Sequence, residues 1–454
     1  MSALALDYTY NYLQPSRLDP AAQLLQLATY SAGDDPHPCF FRGKLVRPKR
    51  VAEMLRKLMQ VVQTRYHIPA AMLQRIVMLS DPIVTSSDDR LRFEGFSSCC
   101  GVYARIDLHP RAVDGEMFGR GTTNVDFNEP MLAALAMVRE GDDISLFVGA
   151  DRVELAKNDQ TVVEKKVQLP YRWLRGLVEV QACQSRMQLV HQVSGVEARR
   201  FFRSLPRSST SRREMFVTTT GGGLRLTQRE TAKSVRVGGL QRLRVLEDLT
   251  TQAKQLRIYG DEVTGASGWE LVFDDSRFHL VISPEVWRGF SGEGQALDAL
   301  AQSDKDDALM KVESQLHWDA VVDEESLVTQ LGLTPQAVRQ ALVVLGTRGR
   351  VGFDLGASSY FQRELPFRLD EVEKLQPRLV NARKLIAEGK VRLGAKNGAA
   401  VEVFVQSGQV EHRVRLSADG AKCTCPWYSK HASSRGPCKH ILAASVYWEE
   451  RSDE

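Results

Sequence analysis

The sequence predicts an α+β multi-domain chain: an internally repeated strand-helix-strands body, a winged helix, and a small C-terminal module of three strands and a helix. Three observations carry that reading. Residues 122–177 and 233–290 share an order of strand, amphipathic helix and further strands. Residues 310–367 read as helix, turn, helix and β-hairpin. Residues 423–440, CTCPWYSKHASSRGPCKH, hold three of the seven cysteines in the chain.

Composition sets the frame. At 454 residues the chain has room for several cores. Its 43% hydrophobic and 26% charged residues are those of an ordinary globular protein, not of a disordered or fibrous one. The net charge of +4 is too mild to demand a nucleic-acid partner, so local charge must decide. No apolar run reaches membrane-spanning length, and the first residues lack the basic-then-apolar pattern of a signal peptide. An odd number of cysteines argues against a fully paired disulfide framework and for a reducing, cytoplasmic setting.

Taken in order, residues 1–120 form an N-terminal α+β region. Its amphipathic helix starts near Arg50, with Met54, Leu58 and Val61 on one face, and strands follow at 91–95 and 101–108. Residues 121–195 are the first α+β repeat, 196–232 a basic Ser/Arg-rich linker and 233–303 the second repeat. Each copy closes on a similar signal, around Trp173 and Trp287, and both tryptophans are expected to pack in the core or at a sheet edge. Units of this order also build sliding clamps, a topological analogy only. In the linker, Arg199, Arg200, Arg203, Arg207, Arg212 and Arg213 interleave with Phe201 and Phe202. That pattern suits phosphate or an acidic partner, and equally a solvated helix end.

Residues 304–368 are the winged helix-turn-helix. Thr334 caps a helix with Pro335 at its first position, and Val338, Ala341, Leu342 and Leu345 recur at helical spacing. In a groove-reading module, Gln336, Arg339, Gln340 and Val343 would face bases, and Arg348, Arg350 and Arg363 would meet phosphates. The same fold also serves as a protein-docking module.

A connecting helix, 369–394, leads to the C-terminal module, 395–454. Here Cys423 and Cys425 form a Cys-x-Cys pair, and after twelve intervening residues Cys438 and His440 form a Cys-x-His pair. Two short-spaced pairs joined by a loop supply the two edges of a tetrahedron, and thiolates with imidazole suit zinc. Four protein ligands leave no open position, so the zinc would be structural. His431, inside the loop, is the one competing ligand. Strands at 400–405 and 411–416, a turn at Asp419-Gly420 and a helix from Pro437 frame the site.

Cys-x-Cys, a loop, Cys-x-His and a following helix resemble the SWIM zinc finger over roughly residues 395–450. More widely, FFRGKLVRPKR, GRGTTNVDFNEPM, WELVFDDSRFHLVISPEVWRGFSGEGQ and CTCPWYSKH resemble bacterial SWIM zinc finger family proteins. The resemblance implies a module that binds DNA or proteins. It also implies a neighbourhood of MoxR-type AAA+ ATPases and von Willebrand factor A domain proteins.

Nothing points to catalysis. Thr218–Gly223 and Gly119–Thr123 lack the ending of a phosphate-binding loop, no Gly-x-Ser-x-Gly elbow occurs, and Asp274-Asp275 reads as a hairpin turn. The expectation is therefore a non-enzymatic zinc-binding adaptor for protein assembly, with direct DNA binding as the alternative.

Overall fold

The computed structural model describes residues 5–30, 38–66, 81–149, 163–207, 214–287, 289–290, 294–301, 307–365, 376–398, 400–417, 419–432 and 434–452. At its centre is a nine-stranded sheet. Its order is Gln188–Ser194, Gln255–Gly260, Ser267–Val272, Ser276–Ile282, Val102–Leu108, Leu91–Phe96, Ile83–Ser86, Gly121–Val125 and Thr29–Tyr30. Two antiparallel meanders, 83–108 and 255–282, meet in its middle, where Ser276–Ile282 pairs with Val102–Leu108 from Ser276↔Leu108 to Ile282↔Val102.

Each meander follows a strand and a helix. Phe41–Leu45 and helix Pro48–Gln63 precede the first; Gln188–Ser194 and helix Gly195–Ser204 precede the second. Pro48 stands at the helix start, where its missing N–H costs nothing, and Val51, Met54, Leu55, Leu58 and Met59 bury one face on strands Leu91–Phe96 and Val102–Leu108. Helix Gly195–Ser204 buries Phe201 and Phe202 against Trp269.

The repeat expected over 122–177 and 233–290 is thereby corrected. Gly121–Val125 joins the central sheet, whereas Val235–Val237 joins a separate three-stranded sheet beside Met215–Thr220. Ser145–Val148 lies parallel to Leu24–Leu27 in a five-stranded sheet, while Gln255–Gly260 sits in the central one. Short strand-helix-strand patterns look alike in sequence, but the choice of pairing partner is long-range and sets topology. Trp287 also departs from expectation: it is 62% exposed. Trp173 falls on helix Tyr171–Gln184, and its side chain lies outside the described residues, as does linker segment 208–213.

Successive side chains on a strand point to opposite faces. Leu91 and Phe93 therefore pack with Ala104 and Ile106, while Arg92, Glu94, Arg105, Asp107, Glu270, Arg277 and His279 share the other face. That charged face is not open to water. A hairpin of Val351–Asp354 and Ser359–Gln362 lies over it, and every residue of both strands is buried.

Three helices precede the hairpin: Asp307–Ser314, Glu324–Leu331 and Pro335–Thr347. Asp323 caps the second by accepting from the Ser326 N–H, and Gly332 ends it with a φ of 64°, a conformation glycine adopts without strain. Thr334 caps the third through the Ala337 N–H. That helix packs closely on helix Tyr171–Gln184: a Cβ on Gly346 would come within 1.9 Å of the Gln181 side chain.

The C-terminal module is a four-stranded antiparallel sheet, Val391–Asn397, Ala400–Ser407, Val410–Leu416 and Lys422–Cys423. It carries one strand more than expected, because Val391–Asn397 extends the meander where a connecting helix was expected to run to 394; that helix is Pro377–Ala387. The last helix begins at Lys439, two residues after Pro437, and packs on Pro377–Ala387. Among the described residues no helix is long and apolar enough to cross a membrane.

Candidate metal centre

Strand Lys422–Cys423 is held in place by pairing with Val414 and Arg415, which fixes Cys423 at the sheet edge. Cys425 is the N-cap of helix Pro426–His431, and its sulfur accepts from the Tyr428 N–H at 3.4 Å. Cys438 repeats that arrangement at the head of the last helix, its sulfur accepting from the Ile441 N–H at 3.4 Å. Two helix N-termini, each with positive partial charge, thus face the sulfurs and favour their anionic form. His440, in the first turn of the second of these helices, places Nδ1 3.9 Å from both Cys423 Sγ and Cys438 Sγ.

All four side chains are buried, and their ligand atoms lie within 4.8 Å of one another. A tetrahedron with zinc–sulfur bonds of about 2.3 Å has edges of roughly 3.8 Å, so the donor set fits a single ion. Crowding sets the proton balance. The contact with Cys438 comes first in holding the Cys423 thiol up, and the same contact pulls Cys438 down to about 4. Burial holds the Cys425 thiol up. A cation is what lets three packed sulfurs be thiolates together.

Residues 412–448 match the family model of the SWIM zinc finger. This module is a SWIM zinc finger. Its Cys3His cluster holds one structural zinc ion, as the sequence spacing predicts. When bound, the ion supplies the cross-link between the sheet edge and the two helix heads. His431 is not part of that cluster: its ring lies 4.5 Å from that of Trp427. No curated protein matches the chain. Among solved structures, Proliferating Cellular Nuclear Antigen from Entamoeba histolytica is 12% identical, covers 55% of this chain and 100% of its own, and has a TM-score of 0.35. The PCNA2-PCNA3 complex from Sulfolobus tokodaii is 10% identical, with coverages of 54% and 99% and a TM-score of 0.33. Likeness at that level carries no argument about a clamp.

A second buried group of ligand-type residues, Asp107, His279 and Asp354, lies beneath the hairpin. It already holds its cations. Arg105 Nε is 2.8 Å from Asp107, Arg277 Nη1 is 3.1 Å from Asp354, and Arg92 Nη2 is 3.3 Å from Asp354. The Arg92 guanidinium also lies 4.1 Å above the Phe361 ring. Burial works to raise both carboxyls, but Arg105 and Arg92 overcome it and hold them below the usual carboxylate range. With three guanidiniums in place, a metal ion has no role there.

The contact residues expected from sequence are placed as follows. Gln336, Arg339 and Gln340 are exposed near the start of helix Pro335–Thr347, but Arg339 pairs with Glu324 at 3.2 Å. Val343 packs against the core instead of facing outward. Arg348 is half-buried, and Arg350 pairs with Glu313 and Glu364 at 2.9 Å each. Arg363, expected to meet phosphates, is corrected: it is buried and bound to Glu94 at 2.6 Å. Arg199, Arg200 and Arg203 are exposed on the outer face of helix Gly195–Ser204, with Arg200 paired to Glu197.

Proposed function

We propose that the chain is a non-enzymatic, zinc-dependent adaptor that mediates protein–protein assembly. The observation that carries this reading is how the helical module engages its cations. Arg339, Arg350 and Arg363 are each taken by a carboxylate, and the hairpin that would form a DNA-gripping wing is buried on the central sheet. Counterion release drives DNA binding only where cations are free to meet phosphates. We read residues 304–368 as a winged helix used for docking, with Gln336, Arg339, Gln340, Arg348 and Arg350 at its contact end. The partner we favour is a MoxR-type AAA+ ATPase acting with a von Willebrand factor A domain protein, as the family resemblance implies, in a reducing cytoplasm.

The test is co-purification of the zinc-loaded chain with such an ATPase across a salt series. The expected result is a complex that survives high salt, with Arg339→Glu leaving affinity for random duplex DNA unchanged. Duplex binding that is tight at low salt, falls steeply with salt and weakens in Arg339→Glu would overturn the reading. Direct DNA binding is the second reading, favoured by the exposed Arg199 and Arg203 on one helix face.

A further inference from the structure

A cleft of about 490 Å³ opens in the helical module, at the end of the hairpin away from its turn. Met310, Glu313 and Leu316 line it from helix Asp307–Ser314 and its exit, Trp318 from the segment that follows, and Arg350 and Glu364 from the two ends of the hairpin. The lining is within reach of a visitor: Met310 is 54% exposed, and the Glu313 and Glu364 side chains are 38% and 45% exposed.

Its carboxylates are only half engaged. Arg350 Nε meets Glu313 Oε1 and Arg350 Nη1 meets Glu364 Oε1, both at 2.9 Å. Among the described residues the second oxygen of each carboxylate has no partner, and neither oxygen is buried. One guanidinium against two carboxylates leaves one negative charge in the cleft. The surrounding charges keep that sign. Lys311 is paired with Asp307, Arg363 with Glu94 and Arg120 with Asp88. Arg348, two residues before Arg350, is matched by Asp319, next to Trp318. Residues 312–338 add to the negative potential, since they contain five acids and no lysine or arginine.

Trp318 is held at the cleft against its own backbone preference. Its φ of 64° is strained for a bulky side chain. Its N–H donates to Gln362 Oε1, and the Gln362 N–H donates to the Asp319 carbonyl at 3.0 Å, so the turn is pinned to the hairpin. The side chain is half-buried, and among the described residues no ring or cation stacks on its indole. A cation placed against an indole and within reach of carboxylate oxygens is attracted by both. Arginine suits such a site better than lysine, because a planar guanidinium stacks on rings and meets two oxygens at once.

We propose that this cleft receives an arginine side chain from a partner protein. Its guanidinium would lie against the Trp318 indole and donate to the free oxygens of Glu313 and Glu364, while Met310 and Leu316 cover its aliphatic stem. Arg350 already holds both carboxylates in position. The proposal rests on the adaptor reading and names the chemistry its partner must present. The same excess of negative charge disfavours a polyanion such as DNA at this face.

The experiment titrates the zinc-loaded full chain, at physiological salt, with fluorescein-labelled hexa-arginine, hexa-lysine and neutral hexa-citrulline. Hexa-arginine should bind most tightly and hexa-citrulline least. Glu364→Gln should weaken hexa-arginine about fivefold, the scale of a well-formed exposed ion pair. Trp318→Leu should weaken it about threefold, the scale of an exposed cation–π contact, and should narrow the preference for arginine over lysine. Glu140→Gln, an exposed acid on another part of the surface, should leave affinity unchanged. Zinc stoichiometry and thermal unfolding of the variants should match the parent, which separates a binding defect from a folding defect. Equal affinity for hexa-arginine and hexa-citrulline, or unchanged hexa-arginine affinity in both cleft variants, would overturn the proposal. So would equal losses in Glu140→Gln and Glu364→Gln, which would mean diffuse attraction and no site. Failure of the adaptor reading shows separately, as an ATPase that does not co-purify with the chain while hexa-arginine still binds the cleft.

Discussion

Two buried polar clusters hold this molecule together, and they are built on opposite plans. The finger gathers three sulfurs and an imidazole from within eighteen residues of chain and lacks its own cation. The cluster under the hairpin gathers Arg92, Arg105, Asp107, His279 and Asp354 from four strands of the sheet and hairpin, and carries its cations as arginines. The first depends on an ion from solution; the second depends only on the chain being correctly folded. The finger is therefore the conditional part of the structure, and the sheet–hairpin junction the permanent one.

The strongest way to break that contrast is to remove the ion. Cys425→Ser should abolish zinc binding and unfold residues beyond about 395, because structural zinc contributes on the order of 10 kcal/mol or more to such modules. Hydrogen exchange should show lost protection there and retained protection in the central sheet. Full metal occupancy in this variant would contradict the ligand assignment. Next in size is Asp354→Ala, which strands Arg92, Arg105 and Arg277 without their shared carboxylate. Breaking a buried ion network costs about 3–5 kcal/mol, so the body should melt well below the parent while zinc content stays unchanged. An unaltered melting temperature would show that the junction is dispensable.

Acid sharpens the comparison at smaller cost. The carboxyls of Asp107 and Asp354 are depressed in the folded state, so their contribution to stability is complete above the ordinary carboxylate range and is lost as pH falls below it. Each tenfold difference in proton affinity between the unfolded and folded chain is worth about 1.4 kcal/mol. The finger responds earlier, since protons compete with zinc for thiolates. On acidification, a metal-indicator dye should report zinc release before the near-ultraviolet signal of the body changes. Simultaneous loss of both would mean that the two clusters form one cooperative unit.

The two clusters also differ in how far they could be read from sequence. The finger was legible because its ligands are close in the chain and of rare types, and because Gly, Pro and the alternating strands around them leave little freedom. Caps at Thr334 and the turn at Gly332 were legible for the same local reason. The junction was not. Arg92 and Glu94 alternate with Leu91 and Phe93 as a half-exposed strand would, and only the hairpin arriving from residues 351–362 turns their face into an interior. The repeat failed likewise: the true pair of meanders, 83–108 and 255–282, shares a topology and not a recognisable motif.

The burial of the hairpin has a steric corollary. With both of its strands packed onto the central sheet, the helical module offers a visitor no wing, and its exposed helix start around Pro335, Gln336 and Arg339 is left to make contact. A partner that docks there meets a helix start and its side chains, not a strand edge.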